Sequence, residues 1–348
     1  MLNIKAPIAR TGYGVAAKNI IKHLTDKVDL FVSPISNNIS IEENERGLWD
    51  KILKNRLPYY DGHSLKIWHQ NDLMDHIGRG KKIGFPIFEL DTFTQEEKHH
   101  ISYCDEIFVC SEWGKGIVEK ETGRSAHVIP LGVDRSVFFN GYSDHSPTRF
   151  FNCGKWEIRK GHDVIRVAFE KAFSKEENVE LYMMCHNPFP QVDNSAWERY
   201  YRSSPLSDKI KFIEPKPTHH EVALIMQQMD CGVFPARAEG FNLELLECLS
   251  CGLDVITTNY SAHTEYCNND NSYLIDVTEK EPAYDGVWFN NQGNWGKIGD
   301  LQIEQMAEYM RDIHNKKQSG RLEINSNGIE TAVKFSWENT AQKILEIL

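Results

Sequence analysis

The strongest constraint on this chain is an alternation of short apolar, strand-like segments with helix-like ones, running twice along 348 residues. In the first series, Ile20, Ile21 and Leu24 fall at helical spacing. Strand candidates follow at Val28–Val32, Leu65–Trp68, Lys82–Phe88, Asp105–Cys110 and His127–Gly132. The rhythm breaks between Phe139 and Thr148 in a run of Asn, Gly, Ser, Asp and Pro, which is linker chemistry. It resumes with strand candidates at Arg149–Cys153, Val179–Met184, Ile210–Ile213, Cys231–Phe234 and Val255–Thr257. Strands that alternate with helices predict a parallel sheet covered on both faces, and two such series predict two doubly wound α/β domains. The length suits two cores better than one. The expected bounds are residues 1–143 and 148–335, followed by an amphipathic helix over 336–348 with Ala341, Ile344, Leu345 and Leu348 as its apolar stripe.

Bulk properties narrow the function. With 41% hydrophobic and 26% charged residues the composition is globular, and a net charge of −11 argues against a surface that gathers nucleic acid nonspecifically. The eight cysteines sit mostly inside apolar segments, as buried reduced thiols do in a cytosolic protein. Residues 1–15 lack the apolar stretch of a signal peptide, and no run reaches the roughly 18 apolar residues that span a bilayer. The expectation is a cytoplasmic protein without an integral membrane segment, with peripheral membrane contact through an amphipathic helix left open.

Three segments carry the chemistry. Phe234 to Glu247 reads as an apolar strand, a tight turn holding Glu239, and a helix from about Leu243 bearing Glu247. If mostly helical, the eight residues between the two acids cover about 12 Å. The free N–H groups of residues 241–244 would then form a helix N-terminus that favours phosphate. Taken alone, the spacing far better suits a solvated amphipathic helix, and the Gly-Phe-Asn turn between strand and helix is what favours the site. The second segment, Cys153-Gly154-Lys155-Trp156-Glu157-Ile158-Arg159-Lys160-Gly161, follows the strand that opens the second series. Gly154 lets backbone approach a ligand, while Lys155 and Lys160 supply positive charge where a diphosphate leaving group would gain negative charge. The third, Arg10-Thr11-Gly12-Tyr13-Gly14, is a short glycine turn before a helix and lacks full G-x-G-x-x-G spacing.

Across these segments the chain resembles family 4 (GT4) of the retaining, nucleotide-sugar-dependent glycosyltransferases, which have the GT-B fold: two Rossmann-like domains with a donor/acceptor cleft between them. Asp105 to Ser111 resembles the family's D-x-I-x-x-x-S segment, Ile129 to Asp134 its P-N-G-V-D turn, and Phe335-Ser336-Trp337 the opening of its last helix. The resemblance implies that the carboxyl-terminal domain holds the donor and the amino-terminal domain the acceptor. It further implies that the helix 336–348 packs back onto the first domain. Glu239 would contact the donor sugar, Glu247 the ribose, and Lys155 and Lys160 the diphosphate. Gly154 and Arg159 lie in the same loop, and Phe241, Asn242 and Leu243 fall where members offer backbone N–H groups. Gly12, Tyr13 and Gly14 match the glycine turn that faces the donor. Lys155 stands where arginine is common, Asn242 where glycine is frequent, and Glu244 where proline is frequent; the segments at 181–185 and 212–215 depart from the pattern around the base.

His69, at the end of a first-domain strand, would sit near the sugar or serve as a hydrogen-bonded structural histidine. Glu89-Leu90-Asp91 either faces the acceptor or caps a helix from Thr92, with the cap slightly favoured; Cys248 and Cys251 read as core, and His219-His220 as a solvated helix start. No Asp-x-Asp occurs, so no metal or other cofactor is expected beside the donor substrate, for which a UDP-sugar is favoured. The expected activity is transfer of the sugar to a hydroxyl acceptor, with a glycan or lipid-linked sugar favoured. The alternatives are a modified DNA base, disfavoured as a nucleic acid by the acidic chain, and a GT-B relative that binds or isomerises sugar nucleotides.

Overall fold

The computed structural model describes residues 1–37, 39–55, 57–141 and 145–348. The chain divides into two compact units, Met1–Gly132 with Phe335–Leu348, and Val133–Lys334. Residue 143, the expected end of the first domain, lies outside the described residues. Phe138, which the linker composition grouped with the first series, is buried in the second unit, where its carbonyl accepts from Ser250 Oγ at 2.5 Å.

The first unit runs β1 (Leu2–Ala6), α1 (Gly12–Leu24), β2 (Leu30–Pro34), α2 (Arg46–Ile52), β3 (His63–Trp68), β4 (Lys82–Pro86), α3 (Gln95–Ser102), β5 (Glu106–Val109), α4 (Glu112–Thr122) and β6 (His127–Val128). Its sheet is parallel, in the order β2-β1-β3-β4-β5-β6. Strand order reverses between β1 and β3, and ligands collect outside the carboxyl ends of strands at such a switch point. Gly12-Tyr13-Gly14, expected as a turn before a helix, are instead the first residues of α1 after β1, and His69 directly follows β3. The cap of α3 differs from the expected one. Thr94, not the Glu89–Asp91 stretch, closes a capping box with Glu97, because a hydroxyl at the N-cap and a glutamate three residues on satisfy two orphan N–H groups reciprocally.

The final helix, Trp337–Ile347, belongs to this unit and packs on α1. Ser336 caps it, Thr340 Oγ1 donates to the Pro130 carbonyl at 2.8 Å, and Trp337, Ala341 and Ile344 are buried. Its start presses on Gly132, where an added Cβ would lie 2.2 Å from the Ser336 and Trp337 backbone.

The second unit contains β7 (Thr148–Gly154), α5 (His162–Ala172), β8 (Val179–Cys185), α6 (Asn194–Arg202), β9 (Ile210–Phe212), α7 (His219–Met226), β10 (Cys231–Phe234), α8 (Leu243–Ser250), β11 (Asp254–Thr258) and β12 (Tyr273–Ile275). A hairpin of β13 (Lys280–Tyr284) and β14 (Asn290–Gly296) follows, then α9 (Asp300–Gln318) and α10 (Ser326–Lys334). The main sheet is ordered β12-β11-β10-β7-β8-β9, all parallel. Renumbered from β7, this is the dinucleotide-binding order 3-2-1-4-5-6, with its switch point between β7 and β10. One core continues from Phe150, Leu181 and Val233 on the strands to Phe169 on α5 and Met306 and Ile313 on α9. Sheet order therefore sets the loops after β7 and β10 side by side, although about eighty residues of sequence separate them.

All eight cysteines are free and buried, and among the described residues no helix is long and apolar enough to cross a membrane. Gly132→Ala is expected to loosen the final helix. Overpacking of this kind costs roughly 1–3 kcal/mol, and limited proteolysis should then release a carboxyl-terminal fragment faster than from the parent, at equal integrity of the second unit.

Candidate functional site

At the β7/β10 switch point two loops are locked face to face. Gly154 ends β7 with φ of 131°, and Gly161 caps α5 with φ of 76°. A Cβ on Gly161 would stand 2.2 Å from the Pro235 carbonyl oxygen, so only glycine permits both the left-handed turn and the close approach of the second loop. One backbone bond and one side-chain bond then join the loops: the Arg237 N–H donates to the Arg159 carbonyl at 2.7 Å, and the Arg159 side-chain Nη1 donates to the Ala238 carbonyl at 2.7 Å.

Between the loops runs a row of side chains that alternate in charge. Lys155 Nζ lies 2.7 Å from Glu157 Oε1, whose Oε2 is 2.7 Å from Arg159 Nη2. Arg159 Nη1 is 2.8 Å from Glu239 Oε2, Lys160 Nζ is 2.9 Å from Glu239 Oε1, and Glu244 Oε1 lies 3.8 Å beyond Lys160 Nζ. The middle members are buried, whereas the side chains at the two ends, Lys155 and Glu244, are about one-third exposed at 36% and 32%. Burial alone would push the Glu239 carboxyl up, but the Arg159 guanidinium and the Lys160 ammonium outweigh it and hold the group well below the usual carboxylate range. The same balance, with Arg159 and Lys155 as partners, keeps Glu157 ionised. For Lys160, burial opposes the charge while Glu239 and Glu244 restore it, and the ammonium is held above its ordinary range. Glu239 is thus a fixed carboxylate, and Lys160 a fixed cation.

The second loop is held from beneath. Ser261 Oγ accepts the Glu239 N–H at 2.9 Å, with Ser261 itself at φ of 54°. Asn242 takes a left-handed conformation, φ 75°, and caps α8 by accepting the Leu245 N–H. Its amide Nδ2 donates to His263 Nε2 at 2.9 Å, which fixes the tautomer: Nδ1 carries the proton, toward Thr257 Oγ1 at 2.9 Å. Thr257 Oγ1 in turn donates to the Phe234 carbonyl. Burial favours the neutral ring and lowers His263 to about 4. The Tyr266 hydroxyl lies 2.8 Å from the Phe241 and Asn242 carbonyls, and its ring packs on Phe241. With its backbone so fixed, α8 presents the first-turn N–H groups of Leu243 and Glu244, which have no intrahelical acceptor.

The predicted residues therefore fall into two groups. Gly154, Lys155, Arg159, Lys160, Glu239, Phe241, Asn242, Leu243 and Glu247 all belong to the second unit and flank its switch point. Arg159 is buried within the ionic row rather than presented to solvent. Helix begins only at Leu243, so the segment from Glu239 to Asn242 is turn and not the first part of a helical span. Glu247 stands on α8, where burial first and the nearby Glu244 second push its carboxyl well above the ordinary range. Gly12, Tyr13, Gly14 and His69 form the other group, at the first unit's switch point. A Cβ on Gly14 would fall 2.4 Å from the Ala9 carbonyl oxygen. Tyr13 donates its hydroxyl proton to the Ile87 carbonyl and lies 3.2 Å from His69 Nδ1, with ring centroids 4.6 Å apart.

Sequence reasoning left Glu157, Ser261, His263 and Arg237 without roles. Arg237 is buried, grips Asp163 with two 2.8 Å bonds and Glu281 with one of 2.9 Å, and donates to the Ile158 carbonyl. Only Glu157 carried a local signal, as an acid flanked by cations in one loop.

Residues 147–285 match the family model described as glycosyl transferases group 1. The chain is 24% identical over 281 residues, 77% of it and 74% of the relative, to a candidate glycosyltransferase, number 45, of Sulfolobus islandicus filamentous virus (isolate Iceland/Hveragerdi). Among solved structures it is similar to Anabaena HepE in complex with UDP and glucose, at 14% identity and TM-score 0.73 over 99% of this chain and 98% of that one. It is similar also to sucrose-phosphate synthase from Thermosynechococcus elongatus, at 13% identity and TM-score 0.72 over 99% and 97%. A third is WaaG, a glycosyltransferase involved in lipopolysaccharide biosynthesis, at 11% identity and TM-score 0.67 over 100% and 99%. The fold is GT-B, and the second unit carries a glycosyltransferase domain.

Two outcomes follow from the electrostatics. Arg159→Ala should cost about 3–5 kcal/mol, because it leaves two buried carboxylates short of a partner, and a denaturant titration reads the loss. His162, buried beside Lys160, is lowered to about 3, and His263 to about 4. Both take up a proton on unfolding below their ordinary 6.5, so their contribution is complete above that value and lost as pH falls toward the folded values. Each histidine should contribute a fall of roughly 1.4 kcal/mol per pH unit, opposed over part of the range by the raised carboxyls of Glu247 and Asp254, so in the same titration His263→Gln should lose less stability than the parent between pH 7 and pH 5.

Proposed function

We propose that this protein is a retaining glycosyltransferase of the GT4 type, which takes a sugar from a nucleoside diphosphate donor, with a UDP-sugar favoured, and passes it to a hydroxyl acceptor. The observation that carries the proposal is the buried Arg159–Glu239–Lys160 cluster beside the start of α8. A fixed carboxylate suits sugar hydroxyls as an acceptor of their hydrogen bonds. The adjacent cation and the orphan N–H groups suit the diphosphate.

In this reading Lys160 and the α8 N-terminus stabilise the charge that grows on the diphosphate as the anomeric C–O bond breaks. Lys155, at the solvent-facing end of the row, exchanges Glu157 for a phosphate oxygen as a point charge. Glu239 is held ionised by two cations, which makes it a poor proton donor and suits it to orienting the sugar. Retention would then follow from front-face attack by the acceptor hydroxyl, whose proton passes to the departing phosphate. Glu247, on α8 beyond the turn that carries Glu239, is assigned to hydrogen bonding with the ribose hydroxyls. No metal is assigned a step, since the fixed cations perform the charge neutralisation. The acceptor is assigned to the glycan or lipid-linked class, in a cytoplasmic setting that fits the free, buried cysteines.

Calorimetric titration with UDP, GDP and ADP sugars should find one binding donor. Lys160→Ala should weaken donor binding by at least tenfold, and Glu239→Ala should lower kcat by roughly a hundredfold or more, the scale of losing one aligned transition-state contact. No binding of any donor, or unchanged turnover in both variants, would sink the assignment. The anomeric configuration of the product, read by NMR, tests retention.

A further inference from the structure

A second recess in the same unit is left unused by the proposed donor chemistry. It is a cavity of about 460 Å³ between the β13–β14 hairpin and the back of the two switch-point loops, with Ile158, Arg237, Glu281, Tyr284, Asn291 and Trp295 among its walls. That volume lies in the range of about 300–1,000 Å³ typical of small-molecule sites. Its polar lining is close to neutral, because the Arg237 charge is already met by Asp163 and Glu281. A strongly anionic ligand has no uncompensated cation here to seek.

Three features point to the chemistry it would take. Trp295 is fully buried, and its indole N–H has no acceptor among the described residues, a costly state for a buried donor unless something supplies an oxygen. Tyr284 is 56% exposed, although an aromatic ring gains from being covered. The turn between the strands is tightly built: Asp285 Oδ1 accepts the N–H groups of Val287, Trp288 and Phe289 at 2.8, 2.8 and 2.9 Å. This holds Trp288 43% exposed and edge-on to Phe189, centroids 5.4 Å apart, and the Phe189 ring lies 5.6 Å from Lys155 Nζ. The exposed Tyr284 ring beside an amide, a carboxylate and an orphan donor matches a ring that has apolar C–H faces and a rim of hydroxyls. The recess is also tied to the sugar-contacting loop, since the Gly296 N–H donates to the Arg237 carbonyl at 2.8 Å, two residues before Glu239.

We propose that this recess is a saccharide subsite, separate from the donor site, that receives a pyranose ring. Saccharide binding here does not rest on the transferase reading above. A sugar stacks on Tyr284, bonds Trp295 Nε1–H through a hydroxyl or ring oxygen, and reaches Glu281 and Asn291 with its rim.

The test uses the full chain and the methyl glycosides of glucose, galactose, mannose and N-acetylglucosamine at millimolar concentration, followed by saturation-transfer NMR with and without excess UDP. At least one glycoside should bind saturably and persist when UDP is present. Tyr284→Ala, an exposed change, should weaken it by tenfold or more, Trp295→Phe by at least threefold, and both should leave UDP affinity unaltered. The inference is overturned if no glycoside binds, if Tyr284→Ala binds as the parent does, or if UDP displaces the sugar. Uridine competing at this recess overturns it too, in favour of a base-binding surface. Failure of UDP to bind would count against the transferase reading; failure of glycosides alone would leave that reading standing.

Discussion

Arg159 is the residue on which the candidate site turns. Its guanidinium joins Glu157 to Glu239 while donating to the Ala238 carbonyl, so one planar fork ties together two loops and two acids. A lysine could meet one carboxylate as a point charge but could not span this geometry. Arg159, Glu239 and Lys160 are thus held in place by contacts within the protein alone. Preorganised charge of this kind needs no rearrangement at the moment a leaving group gains charge, which is where such arrangements contribute most to rate.

The ionic row exists because of sheet topology. Cys231 and Gly232 of β10 pair with Phe150 and Phe151 of β7, and the two loops that leave those strands meet above the carboxyl edge. Gly161 and Asn242 are the local devices that let the loops close, one by admitting Pro235 and the other by turning left-handed into α8. In the first unit the same logic brings Tyr13 beside His69. Both clusters sit at reversals of strand order, although the two sheets reach that point by different orders.

Much of this could be read from the chain because it is local. Cys231–Phe234, the start of α8 at Leu243 and the glycine-flanked basic loop are each written in a few neighbouring residues. What stayed hidden depends on distance along the chain. Glu157 looked like one acid in a basic loop, and only the fold shows it holding Arg159 against Glu239. His263 and Ser261 are twenty or so residues from the groups they support, in a segment without periodic pattern. The β13–β14 hairpin was missed because its strands are rich in Asn, Gly and Pro and do not alternate, even though Asp285-Gly286 is a turn pair. Of the two readings open for Glu89 to Asp91 the cap does not hold, because the hydroxyl of Thr94 takes that position.

The bond between Asn242 and His263 carries a consequence for how such a chain can drift. Glycine at 242 would serve the left-handed turn at least as well, but it would strip the α8 cap and leave a buried imidazole nitrogen with nothing to accept from. A hydrophobic residue at 263 would likewise orphan the Asn242 amide. The two positions are thus expected to change together or not at all, and a relative with glycine at the first should carry a different residue at the second. The turn that holds the helix start thus depends on two residues twenty-one positions apart.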